Sequence, residues 1–448
     1  MITAVLFVSF FVLLIIGVPI AICLGLSSVV AILYASSTNI AFSNLDLSII
    51  ATNTYTGIAK FLLLAIPFFV LSGNIMTRAA GISTRLVKFC DDCVGHRRGG
   101  MAIVCVVVAC FFGAISGSGP ATVAALGAVL IPAMIESGFA PSFAEALMAT
   151  SSSVAIVIPP SIAFVVYASI SGESAGDLFM AGIIPGILIG VALVVVVMIE
   201  TRRKGIQPSH EKRSWGERWK SFKQAFWGLL MPVIILGGIY GGIFTPTEAA
   251  AVSVVYGLIV GIFIYKEVKL KDLLGILVDS AKTSGSIMLI VASASLFSYC
   301  CTLFGISTAA QALLTQVAEN PVAFLLIVNI ILLIAGCFID ANSAMYIFVP
   351  VMLPVAKAIG YDPVAFGIMI TVNLAIGQVT PPVGVNLFVA IGMQIRNKAA
   401  SLASGKDEYY HVTLPMISKA VLPMILACLV VLMLLTYIPQ ISLLLIGG

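Results

Sequence analysis

The residues best suited to chemistry in this chain are small hydroxyl, amide and acidic side chains that interrupt otherwise apolar stretches. They fall in four short segments, two in each half of the sequence. The candidates are Ser116, Gly117, Ser118, Gly119, Ser153 and Ser161 in the first half, and Gly336, Asp340, Asn342, Thr380, Pro381 and Asn386 in the second. Hydroxyls, amide oxygens and backbone carbonyls are hard ligands that suit an alkali cation such as sodium, whereas calcium prefers clustered carboxylates. These residue types therefore predict binding of a monovalent cation.

Asp340 is the most informative single residue because it stands inside an apolar stretch. A carboxylate within a membrane is costly and marks a functional site by default. We expect it to coordinate a cation or to accept hydrogen bonds from a substrate. The alternative is that Asp340 lies nearer the surface and caps a helix. For the serines, the alternative is hydrogen bonding between helices, which is common in membranes.

Glycine and proline arrange these segments in two matching stretches, Gly113–Pro160 and Gly336–Pro382, whose matched glycines and prolines lie 222 residues apart. The matched positions are Pro132 and Pro354, Gly138 and Gly360, Pro141 and Pro363, and the pairs Pro159-Pro160 and Pro381-Pro382. Both residue types interrupt helices, so the repeat predicts paired helix breaks. Paired breaks in two halves of an apolar chain are typical of a transporter binding site.

The composition indicates that the elements holding these segments lie in a membrane. Of 448 residues, 60% are hydrophobic and 9% are charged, and the mean hydropathy is +1.16. Soluble domains carry about 25% charged residues. The net charge of +4 is confined to loops and does not suggest nucleic acid as a partner. The first residues lack the basic segment of a secretory signal, so we interpret them as a retained span.

Apolar runs define the predicted spans and the connections between them. Spans are predicted at 4–34, 61–77, 181–199, 224–242, 248–265, 280–300 and about 412–438, with re-entrant hairpins at about 101–136 and 322–358 and broken spans at 142–170 and 363–395. The first run is interrupted at Gly17–Pro19 and forms either one helix or two. Segments 35–60 and 301–321 are expected to be connections. Thr245 and Glu248 have the spacing of a helix capping box.

Lysine and arginine orient the spans. Segments 78–98 and 200–223 are rich in both and are therefore predicted to be cytoplasmic, whereas 301–321 contains neither. Segment 78–98 also suits an amphipathic helix at the interface. Five crossings separate the two hairpins, and an odd number gives them opposite orientations. We thus predict an all-α membrane protein with inverted repeats at 1–200 and 248–448, joined by a basic loop and connector span at 201–247.

Other classes of function find little support in the sequence. Cys90 and Cys93 lie near His96, but no second such motif completes a metal site, and free thiols are the alternative. Neither a zinc-protease motif nor a phosphate-binding loop is present. An enzyme is not expected because no histidine falls in a span. A passive channel would need a continuous polar pore, and a structural scaffold would have no use for mirrored breaks.

The strings GAISGSGPATVAALGAVLIPAM, IPPSIAFVVYA, TPTEAAAVSVVYG and QVTPPVGVNLFVA resemble the large membrane subunit of tripartite ATP-independent periplasmic (TRAP) transporters. The resemblance covers essentially the whole chain. It implies a carrier of the ion-transporter superfamily in the inner membrane, working by an elevator motion and coupled to sodium, with no organic cofactor. It also implies surrounding membrane lipids, a small four-helix membrane subunit and a periplasmic binding protein that delivers an organic anion.

The resemblance also implies roles for the candidate residues. Sodium would lie around Ser116–Gly119 and Gly336–Asn342, with help from Ser153, Thr380 and Pro381. Substrate would lie near Ser118, Ser161, Asp340 and Asn386. Family members import C4-dicarboxylates, sialic acids, other sugar acids and keto acids. An aspartate at the site slightly favours a hydroxyl-rich monoanion such as sialic acid.

Overall fold

The computed structural model describes residues 1–38, 42, 46–78, 81–208, 210–403 and 411–446. These residues form twenty α-helices and contain no strand. The first ten are α1 Ile2–Ile15, α2 Ile20–Thr38, α3 Ser48–Ile58, α4 Ala65–Arg78, α5 Gly81–Cys90, α6 Gly100–Ser116, α7 Gly119–Glu136, α8 Pro141–Ser153, α9 Ile162–Ser171 and α10 Ala175–Lys204. The second ten are α11 Trp215–Tyr240, α12 Pro246–Ile259, α13 Leu270–Leu303, α14 Ile306–Ala318, α15 Pro321–Gly336, α16 Ala341–Ala358, α17 Pro363–Gly377, α18 Val385–Ala403, α19 Leu414–Tyr437 and α20 Gln440–Leu443.

Eight helical segments in the described residues are long and apolar enough to cross a membrane. They are α2, α7, α10, α11, α12 with its π-helical continuation to Ile264, α13, α16 and α19. A ninth span arises if α3 and the segment Phe61–Thr77, which meet at 60°, are counted together. The prediction of an all-helical, multi-pass membrane protein is therefore confirmed.

The N-terminal run is two helices. Gly17, at a φ of +89°, lies in the turn between α1 and α2. The Tyr34 hydroxyl lies 2.8 Å from the Met1 sulfur, so the two helices run antiparallel along their length. A left-handed backbone is inexpensive for glycine, which explains why the apolar run turns back at this residue.

Two helices lie where the sequence analysis expected connections. α3 occupies part of 35–60, and α14 occupies most of 301–321. α3 carries several Ser, Thr and Asn residues, and α14 is amphipathic, so neither has the continuous apolar character by which spans are recognised. The expected capping box is confirmed, because the Thr245 N–H donates to Glu248 Oε2 at 2.8 Å and Glu248 N–H donates to Thr245 Oγ1 at 3.3 Å.

α8 and α17 form the centre of the molecule. Every residue from Phe143 to Ser153 and from Val364 to Gly377 is buried. A helix that is covered on all faces belongs to the core of a large protein. The helices that follow the two tips pack across the two halves: α7 contacts α8 and α18, and α16 contacts α17 and α9. This packing places helix ends from both halves close together.

Candidate functional site

Two helix breaks lie beside the central helices. α8 ends at Ser153, and the chain passes through Pro159 and Pro160 before α9 begins. α17 ends at Gly377, and the chain passes through Pro381 and Pro382 before α18 begins. Each proline pair is joined by a cis peptide bond. The first break is buried apart from Ile158, whereas the second is partly exposed from Thr380 to Val383.

The first hairpin tip, residues 116–122, touches both breaks. Gly117 joins α6 to α7 at a φ of +59°, and a Cβ atom there would lie 3.1 Å from the Pro160 carbonyl oxygen. A Cβ on Gly119 would lie 2.6 Å from Gln378 Oε1 and 2.8 Å from Asn386 Nδ2. The absence of side chains at these two glycines therefore allows breaks from different halves of the chain to meet at one tip.

Hydroxyl groups at this tip form a local network. Ser116 Oγ and Thr122 Oγ1 are 2.7 Å apart, and the Thr122 hydroxyl also reaches the Ser118 carbonyl oxygen at 2.9 Å. The Ser118 N–H donates weakly to Ser116 Oγ at 3.4 Å. Ser116 and Thr122 are both buried. The tip thus presents oxygen atoms within a largely closed space.

Two acceptor atoms beside the first tip lack partners. Gln378 Oε1 and Asn386 Oδ1 are buried and accept no hydrogen bond from any described residue. Asn386 is held in place because its Nδ2 donates to the Ala149 carbonyl oxygen at 3.3 Å. A buried polar atom without a partner costs about 1–3 kcal/mol. Such atoms in a native fold point to a bound ligand, ion or water.

The second tip, residues 336–343, is organised around Asp340. Asp340 Oδ2 accepts the N–H groups of Asn342 at 3.0 Å and Ser343 at 3.2 Å, and Oδ1 accepts the Ser343 hydroxyl. The carboxylate therefore caps α16, as the alternative interpretation expected. Asp340 and Asn342 are both half-buried. Gly336 packs on α17, where its Cβ would lie 3.1 Å from Gly377 Cα.

The remaining candidates hydrogen-bond within their own segments. The Ser153 hydroxyl donates to the Thr150 carbonyl oxygen at 2.8 Å, and the Thr380 hydroxyl donates to the Ile376 carbonyl oxygen at 2.7 Å. Ser161 caps α9 and donates to the Ile156 carbonyl oxygen. The structure thus brings Ser116–Gly119 together with Asn386 and Gln378, while these three hydroxyls are satisfied locally.

Sequence reasoning missed Glu145, a fully buried carboxylate on α8. Its Oε2 accepts a hydrogen bond from Gln394 Nε2 at 3.2 Å, and Gln394 also bonds the backbone of Val412. This contact joins α8 to α18 and to the start of α19. The available signal was an acidic residue within the predicted broken span 142–170.

Comparison with known proteins gives a matching family model and several similar permeases. Residues 7–441 match the family model of the tripartite ATP-independent periplasmic transporter, DctM component. The chain is 39% identical over 441 residues to a C4-dicarboxylate TRAP transporter large permease protein of Rhodobacter capsulatus, covering 95% of this chain and 94% of that protein. It is 35% identical over 429 residues to a sialic acid TRAP transporter large permease protein of Vibrio cholerae, covering 96% and 95%.

One further relative is longer than this chain, and one solved structure shares its fold. An isethionate TRAP transporter permease protein of Oleidesulfovibrio alaskensis is 41% identical over 437 residues, which are 98% of this chain but 65% of that protein. The chain therefore spans less than two thirds of that relative. The crystal structure of the Alcanivorax borkumensis YdaH transporter matches with a TM-score of 0.60 at 15% identity, covering 88% of this chain and 90% of that one.

Proposed function

The chain belongs to the DctM family of TRAP large permeases, and from this membership we propose that it performs sodium-coupled uptake of an organic anion. As a TRAP permease it is a multi-pass protein of the bacterial inner membrane and a transporter rather than an enzyme, which confirms both predictions. Sodium coupling, the substrate and the partner proteins are our proposals.

The observation that carries sodium coupling is the pair of unpartnered acceptors, Gln378 Oε1 and Asn386 Oδ1, beside Gly119. Together with the hydroxyls of Ser116 and Thr122 they form a set of neutral oxygen atoms. Neutral oxygen ligands suit a monovalent cation, because a calcium site would use several carboxylates. Sodium at this position would satisfy the two orphaned acceptors and hold the first tip against the second break.

We place a second sodium site at the other tip. Asp340 uses one oxygen for two backbone N–H groups and the other for the Ser343 hydroxyl. An ionised carboxylate has about four acceptor positions, so one remains for a cation. Ligands from the Gly336–Asn342 backbone, Thr380 and Pro381 would complete this second site, as Ser153 would assist the first.

We propose that the two halves are inverted repeats that move as an elevator. Support comes from equivalent features at the offset of 222 residues. Ser118 stands at the N-cap position of α7, and Asp340 stands at the N-cap position of α16. A Cβ on Gly113 would lie 2.7 Å from Ala155 Cα, and a Cβ on Gly377, which matches Ala155 at this offset, would lie 2.6 Å from Gly336 Cα. Rigid contacts between a hairpin and its own broken span would let each unit move as one body.

The substrate we propose is a small organic anion lying near Ser118, Ser161, Asp340 and Asn386. The preference for sialic acid rested on an available aspartate, but Asp340 caps α16, so its charge is partly offset by backbone N–H groups. We therefore place a C4-dicarboxylate first and a sugar acid or keto acid second. The substrate carboxylate would be held by helix N-termini, hydroxyls and bound sodium.

The partners we propose are a small membrane subunit and a periplasmic binding protein. The relative named DctMQ is longer than this chain, which is consistent with a fusion of two membrane subunits. The binding protein would set selectivity, and a ligand screen of that protein is the direct test of the substrate.

Uptake into liposomes tests the coupling mechanism. The chain is reconstituted with its small subunit, and the loaded binding protein is added outside. We expect accumulation only under an inward sodium gradient. Equal uptake in choline or potassium buffer would overturn sodium coupling. Rapid equilibration that needs neither binding protein nor gradient would instead identify a passive channel.

A further inference from the structure

An apolar groove of about 620 Å³ runs between α6, α10 and α11, and every side chain that lines it is apolar. On α10 the lining extends from Ile183 to Met198. At 1.5 Å per residue this is about 22 Å, compared with roughly 30 Å for a whole hydrocarbon core. Val191 is 55% exposed and Met198 is 44% exposed, so the groove is open to the side. The groove is longer than one leaflet's half of that core, roughly 15 Å, so it can hold one extended acyl chain.

One end of the groove adjoins the turn between α5 and α6. Met198 lies one helical turn before Thr201 on α10, and the Thr201 side chain contacts Gly99. Gly99 directly precedes α6 and follows His96, Arg97 and Arg98. The charged end of α10, Arg202–Lys204, marks this end of the groove as cytoplasmic.

Four basic residues gather at this end, which we call the basic cluster: His96, Arg97, Lys212 and Arg218. Burial lowers the pKa of His96, and the nearby charges of Arg218, Arg97, Lys212 and His210 lower it further. The lowered pKa of His96 disfavours its protonation, so Arg97, Lys212 and Arg218 supply the positive potential of the cluster. Residues from the α5–α6 turn, the basic loop and the start of α11 create it jointly.

The acidic residues around the basic cluster are already engaged. Asp91 Oδ1 lies 3.2 Å from His210 Nε2, and Asp92 Oδ1 lies 3.7 Å from Arg213 Nε. Glu217 caps α11 through Ser214. Among the described residues, no salt bridge joins a carboxylate to Arg97, Lys212 or Arg218.

Buried atoms of the basic cluster lack partners. Arg218 Nε and Nη2 and His96 Nδ1 are buried without a hydrogen-bond partner in the described part of the chain. A guanidinium group is a fixed fork of donors that matches phosphate oxygens, so a phosphate would satisfy both Arg218 atoms at once. The unpartnered donors therefore favour an anionic ligand over water.

Aromatic side chains place Arg218 at the depth of lipid headgroups. Trp215 and Trp219, on the first turns of α11, are 82% and 57% exposed. Exposed tryptophan is enriched at the boundary between membrane and water. A phosphate bound to Arg218 would thus lie at the level of headgroups, with the apolar groove extending away from it into the membrane.

We propose that an anionic phospholipid binds here, with its phosphate on the basic cluster and one acyl chain in the groove. Charge complementarity selects the headgroup, and the apolar lining selects the chain. The lipid would hold α6 against α10 and α11. α6 leads directly to the first hairpin tip.

Native mass spectrometry of the delipidated full chain with added phosphatidylglycerol tests this proposal. We expect one tightly bound phosphatidylglycerol and much weaker binding of phosphatidylcholine. The double variant Arg97→Gln/Arg218→Gln should bind about 30-fold more weakly, because each basic residue near anionic lipid contributes a factor of about five. Val191→Trp, which fills the groove without touching the cluster, should also weaken binding. The matched control Lys419→Gln, an exposed lysine on α19, should not.

Each alternative ligand gives a different result. Inorganic phosphate or glycerol 3-phosphate that binds as tightly as the lipid, with no effect of Val191→Trp, would reveal a small-anion site and overturn the lipid assignment. Equal binding of the two phospholipids, or wild-type binding by the double variant, would also overturn it. If the double glutamine variant is unstable without lipid, Arg97→Lys/Arg218→Lys retains the charge. It should bind within about tenfold of wild type; loss comparable to the glutamine variant would count against charge recognition.

Discussion

The two hairpin tips stand at equivalent positions in the sequence but are built in different ways. At the first tip, Gly117 and Gly119 allow Pro160, Gln378 and Asn386 to approach the backbone closely. At the second tip, Asp340 satisfies the start of its own helix. The first tip therefore depends on partners from both halves of the chain and leaves acceptors unpaired. The second tip makes its hydrogen bonds within its own segment, and the charge of its Asp340 carboxylate remains available to a cation.

This difference suggests a division of roles. A site made of neutral oxygen atoms from three segments requires those segments to be assembled before a cation can bind. A tip organised by its own carboxylate can keep its shape when neighbouring helices move. We therefore expect the first tip to bind a cation only when its three segments are assembled, and the second tip to contribute a negative charge. Substitutions at the two tips test this difference.

Gly119→Ala should have the largest effect. Its Cβ would lie 2.6 Å from Gln378 Oε1, inside any hydrogen-bonding or cation-binding arrangement. Displacing ligands by about 1 Å can reduce the rate about 100-fold, and we expect a loss of that order in initial uptake by proteoliposomes. Gly285→Ala, where the added Cβ meets open space, is the matched control. Near-normal uptake by Gly119→Ala would show that the first tip tolerates separation from the second break.

Gln378→Met removes one unpaired oxygen while keeping the length of the side chain. We expect the sodium concentration for half-maximal uptake to rise about tenfold, the equivalent of about 1.4 kcal/mol for one ligand. Stability without sodium should not fall, because the lost atom has no described partner. The exposed Gln224→Met on α11 serves as control. An unchanged sodium dependence would remove Gln378 from the site.

Asp340→Asn separates charge from capping, because asparagine is an equally good N-cap. We expect the helix to remain stable and the sodium requirement to rise severalfold, with uptake measured over a range of sodium concentrations. Should this variant transport with the wild-type sodium dependence, the second tip would be a structural cap alone. Asp340→Ala should lose both the charge and the cap, so its uptake should fall further than that of Asp340→Asn.

Ser118→Ala should have the smallest effect on stability. The Ser118 side chain makes no capping hydrogen bond to α7, whereas Asp340 makes two to α16. Loss of a working cap costs about 1 kcal/mol, so Asp340→Ala should lower the thermal unfolding midpoint more than Ser118→Ala. Equal shifts for the two variants, measured in the same detergent, would contradict the contrast between the tips.

Much of the architecture was predictable because it depends on local properties. Apolar length indicated spans, and the proline pairs at 159–160 and 381–382 marked places where α8 and α17 end. The capping box at Thr245 and Glu248 involves residues three apart and was also correct. α3 and α14 were missed because their polar or amphipathic sequences lack a continuous apolar signal.

The arrangement of the candidate site was less predictable. Asn386 was expected among the site residues, but its position against Gly119 depends on α7 packing on α18 from the other half. Ser153 and Thr380 had suitable side chains, yet each hydroxyl donates its hydrogen bond to a nearby backbone carbonyl oxygen, that of Thr150 or Ile376. The residue type shows which ligands a side chain can bind. The packing decides which protein groups already form hydrogen bonds with that side chain.

The sequence by itself determined that this protein is a multi-pass membrane protein with helix breaks in both halves, because glycine, proline and apolar length act within a few turns. The TRAP family was indicated by the resemblance of its motifs. Only the tertiary structure decided which break meets which tip and that Glu145 is buried. These features arise from contacts between residues as much as 267 positions apart, as for Gly119 and Asn386. That contact forms where α7 from the first half packs on α18 from the second half. Such contacts depend on how complete helices pack, which no local pattern specifies.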